Sequence, residues 1–74
     1  MKVKNVDQKE IEIIGVYAEA YRSKKSLDII YFVHGQLSYF NSEVGVDTIL
    51  KSFSNVNEAL DYVDEIDQQI HSTN

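Results

Sequence analysis

The stretch over residues 27–40, Leu-Asp-Ile-Ile-Tyr-Phe-Val-His-Gly-Gln-Leu-Ser-Tyr-Phe, constrains the fold more than any other part of the chain. β-Branched and aromatic side chains crowd both sides of His34-Gly35, and such side chains suit a pleated, half-buried surface. The dipeptide reads as a two-residue hairpin turn in which Gly supplies a positive φ. That turn sets Val33 opposite Gln36, Phe32 opposite Leu37, Ile30 opposite Tyr39 and Ile29 opposite Phe40. Side chains alternate along a strand, so opposite residues share a face. Ile30, Phe32, Leu37 and Tyr39 then make the better core face. Ile29, Tyr31, Val33 and Phe40 make the other, which is still too apolar to be left in water.

Around this stretch the chain reads in order. Residues 2–6 suggest a short first strand. Residues 10–21 are ambiguous. Asp7 and Glu10 stand at capping-box spacing, and Ile11, Ile14 and Ala18 share one helical face. Against a helix stand Gly15 and the β-branched cluster Ile11, Ile13, Ile14 and Val16, which favour a strand. We read a strand, with a helix over residues 7–21 as the alternative. Residues 22–26 form a polar loop, and residues 41–45 a turn with Gly45 available for positive φ. Residues 48–53 alternate as a further strand.

Residues 55–71 read as a helix. Asn55 is the expected N-cap, with Glu58 three residues on. Val56, Ala59, Leu60, Val63, Ile66 and Ile70 fall on one stripe, with Leu60 and Val63 expected in the core. The helix should fray through residues 72–74. The expectation is an α+β domain over residues 1–74: a four- or five-stranded antiparallel meander with one C-terminal α-helix packed on one face. The alternative is α-β-β-β-α, with residues 7–21 helical.

A chain of 74 residues without cysteine has neither disulfides nor thiolate metal sites to add to a small core, which leaves oligomerisation. The first residues lack the apolar segment of a signal peptide, and no apolar run approaches the ~20 residues that span a bilayer. The expected setting is cytoplasmic, with no membrane partner. The net charge of −5 is uneven: residues 1–25 carry +2 and residues 26–74 carry −7. Such a chain repels phosphates, so direct nucleic-acid binding is not expected.

Nothing in the chain has the spacing of a catalytic, metal or phosphate motif. His34 and His71 read as a turn residue and a last-turn helix residue. Gly15, Gly35 and Gly45 are isolated, and no serine stands in a nucleophile context. Tyr31, Phe32, Tyr39 and Phe40 could stack on bases, but without a basic groove they read as core and interface. No catalytic residue, metal or cofactor is expected, and the chain does not read as an enzyme. Two functions remain. The first is a small interaction or regulatory module, homodimeric through a sheet face bearing Ile29, Tyr31, Val33 and Phe40. The second is an acidic inhibitor that mimics nucleic acid and binds a DNA-processing enzyme through Glu58, Asp61, Asp64 and Glu65. Strand, cap and acidic helix in this order are shared by many unrelated small domains, so they hint at fold and not at function.

Overall fold

The computed structural model describes residues 1–72. Four strands, β1 (Lys2–Lys4), β2 (Glu10–Arg22), β3 (Ile29–Asn41) and β4 (Gly45–Phe53), precede one helix, α1 (Val56–Ser72). The strands pair in sequence order as an antiparallel meander, β1-β2-β3-β4, with α1 packed on one face. This is the α+β architecture expected. β2 is a strand throughout, so the helical alternative for residues 7–21 does not form. Its β-branched residues pay off in the sheet: Ile11 and Ile13 are buried at the centre of the core with Leu50 and Ile66. Fraying expected at residues 73–74 lies outside the described residues.

His34-Gly35 is not a turn. β3 runs unbroken through it, and Gly35 has no positive φ. His-Gly lacks the side chain that makes Asn-Gly or Asp-Gly a strong turn former, and the strand formers on both sides win. The chain reverses instead at residues 23–28 and at residues 42–44, where Gly45 has φ +89°. Asn41 Oδ1 accepts the Glu43 and Val44 amides and closes the second of these turns.

Three irregularities shape the sheet. β2 carries one extra residue, Ile14, between the pairs Ile13–Leu37 and Gly15–Gln36. β4 carries one, Leu50, between Val33–Lys51 and His34–Ile49. That bulge aims Leu50 into the core, where it is buried. Farther on, Leu37 to Phe40 stand against Val46 alone before pairing resumes at Asn41–Gly45. β3 leaves the ladder there, and Tyr39 and Phe40 are 84% and 75% exposed.

The sheet is also curled. The amide of Val6, just after β1, donates to the carbonyl of Ile49 in β4 at 2.9 Å, although β2 and β3 separate these strands in the sheet. Asn5 Nδ2 donates to Thr48 Oγ1 at 3.1 Å, and Lys9 forms an ion pair with Glu43. The two outer strands are thereby drawn together around the core.

Helix α1 starts as its sequence implies. Asn55 Oδ1 accepts the amides of Asn57 and Glu58. The buried stripe, however, is rotated from the one expected. Ala59 and Ile66 are buried, with Tyr62 and Ile70 against the core, whereas Leu60 is 53% exposed and Val63 half-buried. Tyr62 causes the rotation: its ring packs on Phe53 at 5.5 Å between centroids, a larger apolar contact than Leu60 could make. Leu60→Ala should therefore cost less than about 1 kcal/mol, against about 2–5 kcal/mol for Ile66→Ala, in paired urea melts.

Candidate functional site

One face of the sheet carries the helix, and the register fixes which residues lie on the other. Tyr31 pairs with Phe53, which touches Tyr62 of the helix. Val33 pairs with Lys51, whose ammonium lies 5.6 Å from the Tyr62 ring. Tyr31 and Val33 are therefore on the helix side, and Val33 is 0% exposed. This corrects the face assignment made from the sequence. Ile29, Tyr31 and Val33 share the helix side, and Val33 is core rather than interface. Ile30 and Phe32, expected in the core, lie on the opposite side. The mistaken turn is the reason: once β3 is continuous, the bulges and the helix decide which parity faces in. Phe40 is exposed and sits where β3 leaves the ladder, beside a groove of about 170 Å³ shared with Glu10, Ile11 and Glu12.

The face opposite the helix is built from cross-strand rows: Tyr21–Ile30, Glu19–Phe32–Ser52, Tyr17–His34–Ile49 and Gly15–Gln36–Asp47. Its centre is aromatic. The rings of Tyr17 and His34 stack at 4.8 Å with 7° between their planes, and Tyr21 meets Phe32 at 6.2 Å. Both ring nitrogens of His34 are buried and, among the described residues, reach no hydrogen-bonding partner. The imidazole thus acts as a flat packing surface. The Tyr17 hydroxyl donates to Asp47 Oδ2 at 3.0 Å. Burial raises the Tyr17 phenol above its ordinary pKa, and the Asp47 hydrogen bond and the Asp47 and Glu19 charges raise it further. Tyr17 therefore stays protonated and serves as a fixed donor, poorly suited to act as a base.

The two ends of this face differ in charge. The loop after β2 holds Lys24 and Lys25, both exposed, against Asp28, while Arg22, the last residue of β2, pairs with Ile29 and lies on the helix side. The loop tip is stapled by the Ser23 amide on the Asp28 carbonyl and by Leu27, which has φ 63°. At the other end a recess of about 370 Å³ is lined by Asp7, His34, Glu43, Asp47, Thr48 and Ile49 among others. Three carboxylates gather there against Lys9, which pairs with Glu43.

The expected acidic face of the helix is solvent-exposed at Glu58, Asp61, Asp64 and Glu65. Asp67, one turn on, faces His71 at 3.7 Å. Among the described residues no group of His, Cys, Asp or Glu has the geometry to hold a metal ion, and no helix is long and apolar enough to cross a membrane. Sequence reasoning missed Tyr17, Tyr21 and Asp47 as neighbours, because their proximity depends on pairings across three strands. The Tyr at positions 17 and 21 was a legible signal, since a period of four places both on one side of a strand. No protein-family model matches the chain, and no curated protein or solved structure matches it either.

Proposed function

We propose that this chain is a non-enzymatic interaction module that pairs with a second copy of itself through the sheet face opposite the helix. The observation that carries this reading is the aromatic row structure of that face, where Tyr21 is exposed and Tyr17, Ile30, Phe32 and Ile49 are half-buried on the side away from α1. Aromatic residues at the centre of a patch with a polar rim are the usual composition of an interface core. The molecule measures 40 × 28 × 16 Å, so its broad side has room for the ~800 Å² per partner that a stable complex buries. A small core without disulfides gains stability from such pairing. Phe32→Asp puts a charge at the middle of the face and leaves the helix side untouched. Sedimentation equilibrium at tens of micromolar should give a dimer for the wild type and a monomer for Phe32→Asp, with an unchanged circular dichroism spectrum. A wild-type monomer would sink the reading.

A second reading has its own observation. Glu58, Asp61, Asp64 and Glu65 are exposed along a helix that holds no Lys or Arg, the layout of an acidic inhibitor that replaces nucleic acid on a DNA-processing enzyme. Capture of such an enzyme from lysate, lost at high salt and lost on neutralising these four residues, supports this second reading.

A further inference from the structure

We infer that the two copies pack antiparallel, each basic loop lying over the acidic recess of the other; this rests on the self-pairing proposed above. Two sheets can meet face to face about a two-fold axis in two ways. An axis along the strands brings both basic loops to one end and both recesses to the other. An axis across the strands sets each loop over the partner's recess. The chain's own charges decide between them.

Lys24 and Lys25 stand in the loop that follows β2, and among the described residues neither forms an ion pair with a carboxylate. Asp7, Glu43 and Asp47 converge on the recess at the far end, and among the described residues only Glu43 of the three forms an ion pair. Stacking like ends would place the two loop lysines on their own copies and three carboxylates on three carboxylates. Such like-charge juxtaposition is costly across an interface, whereas opposite charges steer and lock a register.

The spacing also agrees. From the Gln36–Asp47 row to the Tyr21–Ile30 row is six residues of β3, about 20 Å at ~3.3 Å per residue. The basic loop begins just beyond. The midpoint between the charge centres falls close to Phe32, so an axis across the strands passes beside this ring. Each Phe32 then packs near its symmetry mate, with the exposed Glu19 of the same row at the flank, and the oppositely charged ends close around it. The interface is isologous, with the loop of one copy on the recess of its partner and the reverse.

The chain has no cysteine, so introduced thiols report only the designed contact. Ser26→Cys marks the basic loop and Ser42→Cys marks the turn beside the recess; both positions are exposed and neither change alters a charge. Mixed in equal amounts and oxidised mildly, the two variants should join to each other, while Ser26→Cys alone should not join to itself beyond the rate of random collision. Ready self-linking of Ser26→Cys overturns the antiparallel arrangement. Sedimentation equilibrium on the same samples separates the two ways of failing. A monomer removes the self-pairing itself, and a dimer without the mixed link removes only its orientation. Lys24→Glu with Lys25→Glu should weaken the dimer by about tenfold at low salt. The wild-type dimer should weaken from about 50 mM to about 500 mM salt. A dissociation constant that responds to neither change also overturns the arrangement.

Discussion

Asn5→Ala should cost about 3 kcal/mol of folding stability. Asn5 is 2% exposed and its side chain makes three hydrogen bonds. Its Oδ1 accepts the amides of Asp7 and Lys9 at 3.0 and 2.9 Å, which shapes the turn between β1 and β2. Its Nδ2 donates to Thr48 Oγ1, which ties that turn to β4. The backbone of Asn5 takes part as well, donating to the Lys9 carbonyl and accepting from the Gln8 amide. Three lost bonds at about 1 kcal/mol each set the size of the effect. Alanine also leaves a small void under the turn. A domain of this size holds only about 4–11 kcal/mol in total, so the loss is a large share. Thr48→Val removes one end of the cross-strand bond at nearly constant shape and should cost about 1 kcal/mol. Both are read from urea midpoints at constant slope. A cost below about 0.5 kcal/mol for Asn5→Ala would mean that the turn and β4 hold together without this side chain.

Nothing in the sequence announces Asn5. It reads as one more polar residue in a segment already holding Lys2, Lys4 and Asp7, and its cross-strand partner Thr48 is 43 residues away. What is legible locally came through. The Asn55 cap, the period of the last helix and the β-branched run in β2 each depend on neighbours within a few residues. What failed depended on distant contacts. The helix is turned by the Tyr62 ring on Phe53, and a count of aliphatic positions leaves Tyr62 out because of its polar tip. The sheet faces are assigned by where the helix lands and by the extra residues Ile14 and Leu50, and no local pattern marks either bulge. The candidate face was therefore legible as a surplus of apolar surface, and its residues were legible only once β3 was known to be continuous.

Gly35 makes the same point in a form that can be measured. Gly35→Ala should cost about 1–3 kcal/mol, and the cause should be crowding rather than backbone strain. A Cβ built on Gly35 would lie 2.8 Å from Ile13 Cγ2 and 3.1 and 3.2 Å from the two Leu50 methyls. Those side chains are buried at the centre of the core and have little room to move. The backbone itself is extended there, a conformation any residue adopts. A turn glycine would behave differently: Asn, which tolerates positive φ, would replace it at small cost. Here Gly35→Asn should be worse than Gly35→Ala, because it adds bulk and a polar amide to a buried site. The double variant Gly35→Ala with Ile13→Ala should cost less than the two single changes together, by about 0.5 kcal/mol or more, since the new methyl partly fills the space that Ile13 vacates. Strict additivity in that cycle would show that the two residues do not meet. Tolerance of Asn in place of Gly35 would restore the turn and with it the opposite assignment of the sheet faces.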